Sequence, residues 1–128
     1  MSAIPNNLKY TEDHEWVDLS TKGKARIGIT DYAQKQLGDI VFVELPKAGQ
    51  KFETGESFGT VESVKSVSDL FAPLPGTVAT ANEELNEEPE LINTDPYGDG
   101  WIMELTLDGS AAPAELLTAA QYKAHLSE

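Results

Sequence analysis

The 128-residue sequence contains no cysteine, which removes disulfides, thiolate metal sites and cysteine nucleophiles together. Basic residues are scarce: nine Lys and Arg stand against 22 Asp and Glu, a formal net charge of −13. That balance argues against nucleic acid, whose phosphates require a basic face, and against an anionic membrane surface. No apolar run is long enough to span a bilayer. The stretch Met1-Ser2-Ala3-Ile4-Pro5-Asn6-Asn7 has neither an apolar signal core nor an arginine-rich amphipathic pattern. A cytoplasmic bacterial protein is expected, not a precursor. Histidine is nearly absent too: His14 and His125 have no ligand spacing between them, so no metal site is expected.

What is present describes a small folded domain. A hydrophobic content of 40% with two Trp, four Tyr and four Phe excludes a disordered chain. The length fits one domain over residues 1–128 with a single modest core, and a monomer is expected. An acidic surface favours solubility and fast, salt-sensitive docking onto basic clefts.

Short strands separated by turn signals dominate as far as Leu107. Residues 14–19 alternate around Trp16 and Val17, and Thr21-Lys22-Gly23-Lys24 turns the chain into 25–29. Thr30 or Asp31 can cap a short helix over 32–37, which Gly38 ends. Residues 39–45 read as a strand with Ile40, Phe42 and Glu44 on one face and Val41, Val43 and Leu45 on the other, covered on both sides. Strands follow within 52–63, over 76–81 and over 101–107, and 113–117 with 118–125 read as one or two C-terminal helices. The acidic run Glu83-Glu84-Leu85-Asn86-Glu87-Glu88 reads as a solvated face.

Lys65 is the most informative residue, at the centre of Glu62-Ser63-Val64-Lys65-Ser66-Val67-Ser68-Asp69. Val61, Val64 and Val67 favour extended backbone, while the serines tolerate a turn. A strand ending near Ser63, a tight turn carrying Lys65 and a return strand from Val67 are expected. A lysine there offers its amine to a modifying enzyme. A polar hairpin tip made for solubility is the bland alternative.

The segment Gly59-Thr60-Val61-Glu62-Ser63-Val64-Lys65, followed by Val67-Ser68-Asp69-Leu70 and Ala72-Pro73, resembles the lipoylation segment of glycine cleavage system H proteins. The resemblance extends through His14-Glu15-Trp16-Val17, Ile27-Gly28-Ile29-Thr30-Asp31-Tyr32-Ala33, Leu37-Gly38-Asp39-Ile40-Val41-Phe42-Val43-Glu44-Leu45-Pro46, Leu91-Ile92-Asn93 and Pro96-Tyr97-Gly98. It implies an all-β fold with minor α content, a lipoyl-type flattened barrel (a barrel-sandwich hybrid). A short helix follows the first hairpin and further helices lie at the C-terminus. The recurrence of Gly59-Thr60-Val61 as Gly76-Thr77-Val78 agrees with approximately twofold-related halves.

A hairpin lysine can carry biotin or lipoate. The resemblance selects lipoate on Lys65, because Val64 and Ser66 flank it where biotin carriers have methionines. Glu62 then matches a glutamate of lipoyl domains and is a candidate for recognition by a lipoate ligase or lipoyltransferase, or an ordinary solvent-facing residue. The implied role is that of a carrier, not an enzyme. Its partners would be a pyridoxal-phosphate glycine decarboxylase (P protein), a tetrahydrofolate-dependent aminomethyltransferase (T protein) and dihydrolipoamide dehydrogenase (L protein). The aminomethyl group on such an arm is labile through its nitrogen lone pair, so carboxylates that favour the ammonium form would slow its loss. Glu15 and Asp69 are the candidates for that protection. Asp13, where family members can carry serine, is a third. Trp16 is a wall of the site or simply core.

Other classes are weighed against this. An acid–base enzyme built on Asp13, His14 and Glu15 is disfavoured, since adjacent strand residues point to alternate faces. A lipoyl donor for other proteins, or an unmodified acidic interaction module, are the remaining alternatives. Intact mass excludes the unmodified module if Lys65 carries lipoate.

Overall fold

The computed structural model describes residues 4–107 and 116–126. Its strands are β1 (Lys9–Tyr10), β2 (Glu15–Asp18), β3 (Lys24–Ile29), β4 (Ile40–Glu44), β5 (Lys51–Phe52), β6 (Ser57–Ser63), β7 (Val67–Phe71), β8 (Gly76–Ala81) and β9 (Met103–Leu107). Helices α1 (Asp31–Leu37), α2 (Leu91–Thr94) and α3 (Ala119–Leu126) and a 3₁₀ turn, Glu83–Asn86, complete the set. A six-stranded antiparallel sheet in the order β1-β2-β3-β9-β8-β5 packs on a three-stranded one in the order β4-β6-β7. Together they make the flattened, barrel-like sandwich that the sequence implies.

The inner faces interlock through Val17, Ile27, Val43, Val61, Leu74 and Leu105, all buried in one cluster. Each such side chain contributes roughly 1.5–3 kcal/mol relative to exposure. Trp16 belongs to a second cluster with Leu8, Tyr10, Ala119 and Tyr122, which seats α3 on the sheet. Its indole N–H donates to the Pro96 carbonyl at 2.9 Å, so it is core and not a wall of the site. Tyr10 and Tyr122 stack with ring centroids 4.8 Å apart. The acidic run is exposed as expected, though Leu85 within it is an anchor buried in the main core.

Three expectations are corrected. β4 does not alternate: a register shift between Ile40 and Phe42 against β6 leaves Ile40 and Val43 buried, while Val41 and Phe42 are exposed. A bulge of this kind adds one residue and reverses the phase of the faces, so the strand is covered on one side only. Of the C-terminal helical stretch, residues 113–115 lie outside the described residues. Leu117 forms an antiparallel bridge with Tyr10, pairing with β1 in place of a helical turn. His14, finally, is not extended. Its φ of 68° is the left-handed region, and β2 begins one residue later.

The repeated Gly-Thr-Val is a packing device. A side chain on Gly59 would collide with the carbonyl oxygen of Glu44 on β4, and one on Gly76 would stand 2.5 Å from that of Thr106 on β9. One glycine thus permits close strand approach in each sheet. Gly59→Ala should destabilise the protein by about 1–3 kcal/mol, the usual penalty of overpacking. A denaturant midpoint equal to that of the unsubstituted protein would refute this.

Candidate functional site

The site begins with Ser63, which ends β6 and ties the turn. Its N–H and hydroxyl both donate to the Ser66 carbonyl, at 2.8 and 3.2 Å. Its Oγ also accepts the N–H groups of Lys65 (3.2 Å) and Ser66 (3.1 Å). This serine turn leaves the side chain of Lys65 exposed at the tip. The tip leans on the end of α1: the Val64 N–H donates to the Asp39 carbonyl at 3.0 Å. The lysine stem lies over Gly38, where an added Cβ would meet the lysine Cε at 3.4 Å. Gly38, with φ at 80°, ends the helix in a conformation that favours glycine.

Asn93 fixes this corner. Its amide donates to the Gly38 carbonyl at 2.9 Å and to the Gln34 side chain at 3.0 Å, and its oxygen accepts the Ile40 N–H at 2.9 Å. No sequence-local signal marks Asn93 for this role, because its partners lie 53 to 59 residues away.

Beside the lysine a cleft of about 290 Å³ opens between α1 and β7, lined among others by Asp13, His14, Tyr32, Leu37 and Asp69. A second, of about 410 Å³, is lined by Thr11, Asp13, Glu15, Gly55 and Phe71. Asp13 borders both, and the chain passes from Ser68, Asp69 and Leu70 in the first to Phe71, Ala72 and Pro73 in the second. The two clefts thus border successive stretches of the chain through β7, and from Val67 to Phe71 that strand runs about 13 Å at the usual rise.

The structure therefore joins Asp13 and Asp69 in the near cleft and puts Glu15 in the far one. Glu15 is only 2% exposed. One carboxyl oxygen accepts the Phe71 N–H at 2.8 Å and the other the Thr11 hydroxyl at 3.3 Å. Burial pushes this carboxyl up to about 8, against the pull of Phe71 and with a smaller upward push from Asp13. Glu15 therefore holds its proton near neutral pH. Glu62 lies elsewhere, exposed on the outward face of the three-stranded sheet between Phe42 and Val67.

His14 shares the near cleft with Asp13, so the expected alternation of faces fails here, because the turn at Thr11 and the left-handed His14 precede the strand. The His14 Nδ1 is hydrogen-bonded to the Tyr122 hydroxyl at 2.9 Å, which in turn meets the Thr30 hydroxyl at 2.8 Å. Burial, then His125, lowers the His14 imidazole against the upward pull of Asp13, which keeps it neutral at pH 7. The His125 ring stands 5.9 Å away, a proximity that the sequence does not reveal. Among the described residues no three His, Asp or Glu side chains group to hold a metal ion, and no helix is long and apolar enough to cross a membrane.

Comparison with known proteins adds to this geometry. The model of the family described as glycine cleavage H-protein matches residues 8–128. The glycine cleavage system H protein of Mycolicibacterium gilvum is 52% identical over 131 residues, all of both chains. That of Herpetosiphon aurantiacus is 49% identical over 128 residues, covering 100% of this chain and 97% of the relative. The crystal structure of a glycine cleavage system H protein from Mycobacterium marinum superposes with a TM-score of 0.89 at 42% identity, covering 98% of this chain and 100% of the other.

Proposed function

The chain belongs to the glycine cleavage H-protein family, and on that premise we propose that it is the lipoyl carrier of glycine cleavage, with lipoate in amide linkage to Lys65. In this reading it is one domain, a monomeric carrier in the bacterial cytoplasm with no turnover of its own. It takes an aminomethyl group from a pyridoxal-phosphate glycine decarboxylase, delivers it to a tetrahydrofolate-dependent aminomethyltransferase, and is reoxidised by dihydrolipoamide dehydrogenase.

The observation that carries the reading is the placement of Lys65: an exposed amine on a serine-tied hairpin whose return strand lines a cleft with Asp13 and Asp69. The residues fit a long acyl arm there, since the lysine amine is exposed and two clefts lie along β7, the strand that leaves the hairpin. When bound, lipoate supplies a cyclic disulfide that opens to accept the aminomethyl unit. Ser63 and Asn93 orient the lysine. Asp13 and Asp69 present negative charge in the near cleft, which favours the ammonium form of an amine, and Leu37 and Leu70 exclude water there, strengthening that field. Glu15, further along, can lose its proton to solvent when a cationic amine reaches it, and the carboxylate then pairs with that cation.

Two measurements test the reading. Incubation with lipoate ligase, lipoate and ATP should add one lipoyl increment, mapped to Lys65 by peptide mass spectrometry. The product should then support glycine decarboxylation. A chain that takes lipoate on another lysine, or none, does not have this function. With a net charge of −13, apparent affinity for the decarboxylase should also fall steadily over a salt series as the Debye length shrinks through about 8 Å. A flat profile would mean that docking is apolar and that the acidity serves solubility.

A further inference from the structure

The bulge in β4 has an outward consequence. It exposes Val41 to 48% and Phe42 to 51%, while Val64 and Val67 on the lysine hairpin are 66% and 63% exposed. These are the large hydrophobic side chains most exposed among the described residues, and they are adjacent. Phe42 pairs with Glu62 and Glu62 with Val67, so the three form one row on the outer face of the β4-β6-β7 sheet. The next row on that face contains Glu44 and Thr60. An apolar strip with a central glutamate and an acidic edge thus leads straight to Lys65.

We propose that this sheet face is the docking pad for the enzyme that acylates Lys65, a lipoyl-transferring partner with an apolar pad rimmed by basic side chains. The inference rests on the reading of Lys65 as the lipoyl site. The reaction itself dictates which partner lies there. The Lys65 amine attacks the lipoyl carbonyl of an acyl-adenylate; the C–N bond forms, the acyl–phosphate bond breaks, and AMP and one proton leave. The catalytic centre must therefore sit over Nζ, and its protein surface must cover the residues beside it. An enzyme that acts on the far end of a finished arm has no such obligation to this face. Charge agrees: Glu44 and Glu62 border the strip, which selects a basic rim. Contiguous apolar surface beside such charges is the usual mark of an interaction site, and an interface aromatic is its usual anchor.

The test uses full-length Phe42→Ser and Val67→Ser proteins with a lipoate ligase, lipoate and ATP. Each should fold as the unsubstituted chain does by circular dichroism. The kcat/KM of lipoyl transfer should fall about tenfold, through KM. Once each variant has been fully lipoylated by long incubation, its reoxidation by dihydrolipoamide dehydrogenase should be unchanged. Unchanged kcat/KM in both variants overturns the proposal. So does an equal loss in the dehydrogenase step, which would make the strip a general partner surface. A concentration-dependent dimer of the unsubstituted chain that Phe42→Ser abolishes overturns it in favour of a second copy. If the unsubstituted chain takes no lipoyl group on Lys65, the functional reading fails, and the pad with it.

Discussion

Lys65→Arg is expected to accept no lipoyl group and to reduce glycine decarboxylation by the reconstituted system to background, with the fold unchanged. Acylation needs an amine that can lose its proton and attack a carbonyl. A guanidinium stays charged and delocalised at any working pH. The substitution keeps the positive charge on an exposed turn whose geometry is held by Ser63 and by the Val64 contact to Asp39. Stability should accordingly move by no more than about 0.5 kcal/mol. Intact mass after ligase treatment, carbon dioxide release from glycine, and thermal melting form the three readouts. Lys47 and Lys51 serve as internal controls, since neither stands on a serine-tied hairpin tip. A lipoyl increment on either of them, or a variant that still supports decarboxylation, would sink the assignment. A variant that loses activity because it unfolds would show that the lysine is structural.

How much of this could be read from residues alone differs from element to element. The lysine hairpin was legible because valines and serines separate strand from turn without ambiguity. The cap at Thr30 and the stop at Gly38 were equally plain, the Thr30 hydroxyl accepting the Ala33 N–H and Gly38 holding a positive φ. β4 was illegible for a definite reason. Ile40, Val41, Phe42 and Val43 are all apolar, so a period of two reads the same in either phase, and only the pairing with β6 shows where the bulge falls. His14 gave no sign of its left-handed backbone, which the Thr11 turn imposes by accepting the His14 N–H on its carbonyl and the Asp13 and Glu15 N–H groups on its hydroxyl. The near cleft was half legible: Asp69 follows the hairpin in sequence, but its meeting with Asp13 depends on how α1 and β2 close around β7. The position of Glu15 was not legible, because its carboxyl is committed to the Phe71 N–H 56 residues away.

That commitment yields the second large effect. Glu15→Gln is expected to remove a pH dependence of stability and to make the protein more stable at pH 8. The sign follows from the two end states. In the unfolded chain the carboxyl ionises near 4.5, whereas in the folded protein burial raises it to about 8. Below pH 4.5 both states hold the proton, and the native state carries no penalty. Between 4.5 and 8 the unfolded chain releases its proton and the folded chain retains it, so stability falls by about 1.4 kcal/mol per pH unit. By pH 7 the loss reaches about 3 kcal/mol, and above 8 it levels off. Glutamine stays neutral and keeps an oxygen for the Phe71 N–H. His14, whose imidazole is lowered, gives a slope of opposite sign, but both proteins share it and the difference curve isolates Glu15. Denaturant unfolding from pH 5 to 8 should show the two curves diverging, and parallel curves would mean that Glu15 is ionised throughout.

The same titration bears on the loaded carrier. A cationic amine in the far cleft would draw the carboxyl back towards ionisation, and the resulting pair would hold the amine in its stable, protonated form, about tenfold per pKa unit gained. Glu15→Gln should therefore hasten the release of ammonia and formaldehyde from the isolated, loaded protein. The variant-to-parent ratio should be larger at pH 8 than at pH 6, where the parent's own carboxyl is protonated before the amine arrives. Asp69→Asn, which removes a carboxylate from the near cleft, should also hasten release. An unaltered rate in both variants would leave exclusion of water as the means of protection. A Glu15→Gln ratio that is the same at both pH values would show that the amine never reaches the far cleft.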